Sequence, residues 1–158
     1  MNTADFELLT GILRQRSGLV LSKDKVYLLE SRLVPLARKR GLAGLDALVE
    51  RVRNTRDEAL LRDVTEAMTT NESFFFRDAK PFEVFRNETL PALLQSRRDR
   101  KLIRIWSAAC STGQEAYSLA MILREEAVKL AGWRIEILAT DLSSEVLEKA
   151  KVGLYSQF

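Results

Sequence analysis

The feature that most constrains the fold is a strand, a turn of small residues, a long helix and a second strand, in that order, over residues 102–140. Residues 102–106 are short, apolar and rich in β-branched side chains, and residues 134–140 (RIEILAT) have a similar composition. Residues 114–130 between them have apolar side chains at helical spacing. This order is typical of the βαβ unit of a parallel, doubly wound α/β sheet, which we therefore predict here.

The residues before this unit predict only helices. Apolar side chains three and four positions apart indicate helices over about 3–16, after Ser22, over about 45–53 and over 57–68. We therefore expect an all-α domain over residues 1–70.

A proline and a change of periodicity mark two further features. Pro35 lies inside the second predicted helix, and we expect a kink or break near Arg32 because proline lacks the N–H of a helical hydrogen bond. Residues 69–81 lose regular periodicity, and a helix with proline at its first position follows over 81–94. We assign residues 71–90 to a linker and connecting helix, and residues 91–158 to the beginning of an incomplete α/β domain.

Composition excludes several kinds of chemistry. The chain is 46% hydrophobic and 30% charged, as in globular proteins with a buried core. It has one cysteine, Cys110, and no histidine, so we expect no internal disulfide, no metal site and no histidine-based catalysis. With no apolar run of about 18 residues and no signal peptide, we expect a cytoplasmic protein without direct membrane insertion.

The turn over residues 107–113 is a candidate ligand site, because ligands of such sheets bind at the carboxyl ends of the strands. It lacks the GxGxxG pattern, and Glu115 in the first turn of the next helix repels phosphate and suits a cationic group. Asp141 ends the second strand, where it can accept hydrogen bonds from a ribose diol. A ribose ligand with an amino group and no phosphate describes S-adenosylmethionine. Glu115 as a helix-dipole partner and Asp141 as a helix cap are equally good interpretations.

Five segments resemble one family, the chemotaxis receptor methyltransferases (CheR). They are SGLVLSKDK, SRLVPLARKRGL, TTNESFFFRD, IRIWSAACSTGQEAYSLAM and ILATDLSSEVLEKAKVGLY, and together they cover nearly the whole chain. The resemblance implies a helical domain joined to a Rossmann-like methyltransferase domain. It also implies methylation of glutamate side chains on cytoplasmic helices of methyl-accepting chemotaxis receptors, with S-adenosylmethionine as donor and S-adenosylhomocysteine as product.

The resemblance also implies roles for individual residues. Arg77 matches the residue at the catalytic centre, although taken alone it looks like a surface charge beside Asp78. The cofactor-binding residues implied are Asn71, Ser73, Arg77, Ala109, Glu115 and Asp141.

Two other groups of side chains allow more than one interpretation. The run Phe74 to Phe76 suggests base stacking, but we favour core packing against the sheet. The second helix has a basic face that is usually only solvated, but the family's glutamate-rich substrate helices favour partner binding. The partner-binding residues that we predict are Lys23, Lys25, Arg32, Arg38, Lys39 and Arg40.

The catalytic domain ends early, so we expect that these 158 residues alone do not turn over. Two strands without their neighbours also predict self-association through exposed isoleucines; these are Ile103, Ile105, Ile135 and Ile137. We expect no nucleic-acid partner. The alternatives are a nucleic-acid methyltransferase, whose binding weakens steeply with salt, and a non-catalytic signalling module that binds a partner through its helices.

Overall fold

The computed structural model describes residues 1–156. It contains two compact units, Met1–Thr70 and the segment that begins at Asn71. The first unit is all-helical, and the second combines helices with a two-stranded parallel sheet. This order confirms the predicted fold class. Within the described residues, no helix has both the length and the apolar character needed to cross a membrane.

The first unit consists of four helices with defined ends. The side chain of Asn2 accepts a 2.8 Å hydrogen bond from the backbone N–H of Asp5, which caps the first helix, and Gly18 ends that helix in the left-handed region at φ 73°. The helices are α1 (Thr3–Ser17), α2 (Val26–Lys39), α3 (Leu45–Asn54) and α4 (Glu58–Ala67), with a 3₁₀ turn at Lys23–Lys25 before α2.

Leucine side chains from all four helices form the core of this unit. Burying each one stabilises the fold by roughly 1.5–3 kcal/mol. Those with almost no exposed surface are Leu9 and Leu13 of α1, Leu29 and Leu33 of α2, Leu48 of α3 and Leu60 of α4.

The break expected in α2 is not found, because the helix continues through Pro35 to Lys39. The N–H that proline lacks would have bound the carbonyl of Ser31. Ser31 and Pro35 are both exposed, so water can satisfy that carbonyl. The predicted break is therefore wrong, because solvent can replace the hydrogen bond that proline removes, whereas the alternative of a kink stays a prediction.

The first helical element of the second unit is one long run from Ala79 to Ser96. Its middle turn is a π-helix, in which the N–H of Leu90 bonds the carbonyl of Phe85. Such a turn suits Pro91, which cannot continue a regular α-helical hydrogen-bond ladder. The elements are α5 (Ala79–Val84), the π turn (Phe85–Thr89), α6 (Leu90–Ser96), β1 (Leu102–Ala108), α7 (Gln114–Glu125), β2 (Arg134–Thr140) and α8 (Ser144–Val152).

The two strands pair in parallel, with Ile103 opposite Ile135 and Ile105 opposite Ile137. We expected the four isoleucines of these strands to be exposed, and this prediction is wrong. Ile103 is buried and the other three are half-buried, because they pack in a cluster with Leu90, Leu123 and Leu130.

The exposed apolar side chains of the sheet lie on its other face. Trp106 is 69% exposed and Leu138, its partner in the strand register, is 61% exposed. The indole N–H of Trp106 donates to the hydroxyl of Thr140 at 2.9 Å. On the same face, Arg104 pairs with Glu136 at 2.6 Å.

Candidate functional site

The turn after β1 has an unusual backbone. Ala109, Ser111 and Gly113 have φ of 59°, 50° and 96°, in the left-handed region that non-glycine residues rarely adopt. A Cβ added at Gly113 would lie 3.0 Å from the Cβ of Ala150 and 3.1 Å from the hydroxyl of Tyr155. Glycine is therefore required at residue 113 for both its dihedral angles and its small size.

Asp141 joins this turn to the end of β2. One carboxylate oxygen accepts a 2.8 Å hydrogen bond from the backbone N–H of Ser111, and the other accepts a 2.9 Å bond from the N–H of Ser143. Ser143 is the N-cap residue of α8, so the bond from its N–H fixes the turn that leads into the helix, and Asp141 itself is not the cap. A carboxylate has about four acceptor positions, so these two bonds leave room for further donors.

Glu115 is oriented by a buried serine. Its side-chain oxygen accepts a 2.6 Å hydrogen bond from the hydroxyl of Ser107, which is the last buried residue of β1. Glu115 lies in the first turn of α7, where a carboxylate interacts favourably with the helix dipole.

The segment over residues 71–78 is attached to the turn and to α7 by two serines. The hydroxyl of Ser111 donates to the backbone carbonyl of Asn71 at 2.7 Å. The backbone N–H of Phe76 donates to the hydroxyl of Ser118 at 2.9 Å, and Ser118 is fully buried in α7. These bonds hold the segment at both ends.

Arg77 contacts its own segment. Its guanidinium donates to the carbonyl of Glu72 at 2.9 Å and lies 3.9 Å from the Glu72 carboxylate. The side chain is 50% exposed. The half-exposed guanidinium is compatible with a surface charge, and its ion pair is with Glu72 of the same segment.

The aromatic run does not enter a core. Phe74, Phe75 and Phe76 are each partly exposed, by 39% to 48% of their surface. Phe75 makes an edge contact with Tyr155 at 4.8 Å between ring centroids. The prediction of core packing was wrong, because the run lies in a surface segment held by hydrogen bonds and ring edges.

Tyr155 also supports the turn. Its hydroxyl donates to the carbonyl of Thr112 at 2.6 Å, and its ring contacts Tyr117. Burial, with a smaller contribution from Tyr117, raises the pKa of the Tyr155 hydroxyl above its ordinary value. The hydroxyl therefore stays a donor in the neutral range.

A cavity of about 360 Å³ lies between the segment and the turn. This volume falls within the range of small-molecule sites. Its lining comprises Glu72, Ser73, Phe74, Arg77, Asp78, Pro81, Phe82, Ala109, Cys110, Ser111, Glu115 and Leu119.

Four predicted cofactor-binding residues line this cavity, namely Ser73, Arg77, Ala109 and Glu115. Asn71 and Asp141 are outside its lining. Both are hydrogen bonded to Ser111, which does line the cavity, so all six residues belong to one connected region.

Cys110 lines the cavity with almost no exposed surface. Burial, and then the negative charge of Asp141, raise the pKa of its thiol. The thiol is therefore protonated and unreactive near neutral pH.

Sequence reasoning missed the residues that hold the site together, which are Ser107, Ser111, Ser118 and Tyr155. Three of them are serines in the turn or in α7, and they are buried. The sequence does not show that a serine is buried, so it gave no sign of their role. Their partners lie between 8 and 43 positions away in the chain, so no local pattern identifies them.

Two of the six predicted partner-binding residues are engaged within the first unit. The guanidinium of Arg32 donates to the carbonyls of Met68 at 2.9 Å and Thr69 at 2.7 Å, just after α4. Arg40 pairs with Asp63 at 2.6 Å. The other four are exposed at the two ends of α2, and they are Lys23, Lys25, Arg38 and Lys39.

Comparison with known families gives two matches that together cover most of the chain. Residues 4–69 match the family described as "CheR methyltransferase, all-alpha domain". Residues 71–158 match the family described as "CheR methyltransferase, SAM binding domain".

Curated relatives agree with these matches. Chemotaxis protein methyltransferase 1 of Pseudomonas aeruginosa is 45% identical over 155 residues, which cover 96% of this chain and 56% of the relative. Chemotaxis protein methyltransferase Cher2 of Pseudomonas putida is 40% identical, with coverages of 96% and 56%. The chemotaxis protein methyltransferase of Salmonella typhimurium is 34% identical, with coverages of 98% and 51%. The chain spans about half the length of the curated relatives it matches.

Proposed function

The chain belongs to the CheR methyltransferase family, and from this premise we propose that the whole protein methylates glutamate side chains on cytoplasmic helices of chemoreceptors. S-adenosylmethionine is the methyl donor in this proposal. The observation that carries it is the cavity in which Ser73, Arg77, Ala109 and Glu115 meet beside the end of β1.

The residues around this cavity suit the proposed cofactor. Glu115 offers a carboxylate to a cationic amino group, and the small side chain of Ala109 lets a ligand approach the strand end. Asp141 keeps acceptor positions for the ribose hydroxyls, and its two backbone hydrogen bonds orient it. When bound, the cofactor supplies an electrophilic methyl group on a sulfonium.

The absence of histidine from the sequence is compatible with this chemistry. A glutamate substrate has a reference pKa of about 4.3, so it is ionised at neutral pH and needs no general base. The protein's task is to align the substrate carboxylate, and good alignment contributes about 7–11 kcal/mol. We assign this task to Arg77, whose guanidinium can hold a carboxylate through charge-assisted hydrogen bonds.

We propose that Lys23, Lys25, Arg38 and Lys39 attract the glutamate-rich receptor helix. All four are exposed, and opposite charges on two partners accelerate their encounter. We do not include Arg32 and Arg40 in this surface, since their guanidinium groups bind a carbonyl and a carboxylate of the first unit.

We place the protein in the cytoplasm, where the receptor helices lie. Self-association of the 158-residue chain stays a prediction, and Trp106 and Leu138, rather than the isoleucines, are the side chains that would mediate it.

The full-length protein can be incubated with tritiated S-adenosylmethionine and membranes that contain chemoreceptors. We expect label on the receptor that is released by mild base, because a glutamate methyl ester is hydrolysed there. A matched reaction with Arg77→Ala should give strongly reduced label. Base-stable label, or label only in nucleic acid, would refute the proposal.

A further inference from the structure

Ser111 connects three separate parts of the site. Its backbone N–H donates to the Asp141 carboxylate at 2.8 Å, and its hydroxyl donates to the Asn71 carbonyl at 2.7 Å. The residue itself lies in the turn after β1. One residue therefore contacts the end of β2 and the beginning of the segment that contains Ser73 and Arg77.

The surroundings of Ser111 indicate that these contacts are not incidental. Ser111 is 7% exposed and adopts φ 50°, a conformation that costs free energy for a non-glycine residue. The chain uses serine here although glycine would relieve the backbone. Glycine could still supply the N–H for Asp141, but it has no hydroxyl for Asn71.

We infer that Ser111 is a positioning residue for the proposed methyl transfer, and that its hydroxyl sets the location of the segment over residues 71–77 relative to the turn. The inference rests on the proposed function. The bond to Asn71 uses a main-chain carbonyl, so it restrains the backbone that leads to Ser73 and Arg77. Because these two residues line the cavity together with Ala109 and Glu115, a shift of the segment changes the cavity.

Two variants of the full-length protein separate the hydroxyl from the backbone strain. Ser111→Ala removes the hydroxyl and keeps a Cβ, whereas Ser111→Gly removes the hydroxyl and relieves the positive φ. Both keep the N–H that binds Asp141. Ser96→Ala is the matched control, because it removes a serine hydroxyl that donates to the nearby Leu93 carbonyl at 3.4 Å, on an exposed helix end.

Two measurements test the inference. Without ligand, hydrogen exchange of residues 71–77 should accelerate in both Ser111 variants and stay unchanged in the Ser96 variant. The dissociation constant for S-adenosylmethionine by calorimetry should rise about three- to tenfold in both Ser111 variants, as expected for the loss of one hydrogen bond. Melting temperature reports on the overall fold, and Ser111→Gly keeps the test available if the alanine variant does not fold.

Unchanged exchange in residues 71–77 and unchanged affinity in both variants would overturn the inference. Normal behaviour of the glycine variant with loss only in the alanine variant would also overturn it, since the glycine variant lacks the same hydroxyl and would show that the hydroxyl is not required. If the parent protein does not bind S-adenosylmethionine, the proposed function fails, and the exchange measurement still tests the role of Ser111.

Discussion

The carboxylate of Asp141 accepts a hydrogen bond from the backbone N–H of Ser111 at 2.8 Å, although the two residues are 30 positions apart in the chain. This bond joins the end of β2 to the turn that follows β1. It means that Asp141 has a structural task besides the ligand contact proposed for it. Substitutions at Asp141 therefore affect both the turn and ligand binding, and the two effects must be measured separately.

Asp141→Asn in the full-length protein should weaken binding of S-adenosylmethionine by about tenfold or more, because the ribose hydroxyls lose a charged acceptor. The melting temperature should fall only slightly, because the amide oxygen can still accept one of the two backbone bonds. Calorimetry and thermal unfolding measure the two effects. Asp99→Asn is a suitable control, since this exposed carboxylate has a loose ion pair with the neighbouring Arg98 at 3.7 Å. Equal affinity in the parent and Asp141→Asn would contradict the ribose contact.

Arg77→Ala should lower kcat/KM for receptor strongly and leave the melting temperature nearly unchanged. The reason is that the guanidinium is half-exposed and its hydrogen bond and ion pair are with Glu72 of its own segment. Arg77→Lys should recover little activity, because an ammonium group cannot bind a carboxylate through two parallel hydrogen bonds. If Arg77→Ala lowers the melting temperature and the activity per folded molecule stays normal, Arg77 has a structural role instead.

Reversing Arg38 and Lys39 to Glu should raise the KM for receptor and reduce its dependence on salt, without changing cofactor affinity. Arg40→Glu is the informative comparison. It breaks the ion pair with Asp63 and places two negative charges together, so it should also lower the melting temperature. If the double reversal behaves like the parent at all salt concentrations, this face is only solvated.

Arg32→Ala should destabilise the first unit by about 1–3 kcal/mol, because the carbonyls of Met68 and Thr69 lose a charged donor. Urea unfolding followed by circular dichroism measures this change. Lys25→Ala, which removes an exposed cation near the same helix, should have little effect. A loss of receptor binding without loss of stability would restore Arg32 to the partner surface.

The single cysteine gives a probe of the turn. Because the pKa of the buried Cys110 thiol is raised, the native protein should react with a thiol reagent far more slowly than the same protein in urea at pH 8. The unfolded thiol loses its proton first, so the stability contributed by the protonated thiol is complete below the unfolded pKa and is lost as pH rises through the folded pKa. Cys110→Ala should remove that part of the pH dependence, and rapid labelling of the native protein would show that the turn is open.

The order of the helices and strands could be predicted from local patterns in the sequence. The helices of the first unit and the strand, turn, helix and strand of the second follow from apolar side chains at spacings of 3.6 and 2 residues, which are local properties of the chain. The glycine at residue 113 is required in part by the local backbone, because only glycine adopts φ 96° without strain. Local patterns also predicted that Glu115 lies in the first turn of a helix and that Arg77 lies in a loop, and both are found.

The partners of these residues depend on how the chain packs in three dimensions. In the sequence, Arg32 and Arg40 resemble the other basic residues of the second helix. In the folded unit, Arg32 donates to a carbonyl just after α4, and Arg40 forms an ion pair with Asp63. The isoleucines of the sheet are covered while Trp106 is exposed, because the side from which the helices pack determines which face of a strand is buried. Ser111 could not be identified in advance, since its hydrogen bonds reach 30 and 40 positions along the chain and exist only when both strand ends and the segment over residues 71–78 come together. Hydrophobic spacing is encoded along the chain, whereas a hydrogen bond between distant residues depends on the three-dimensional positions that packing produces.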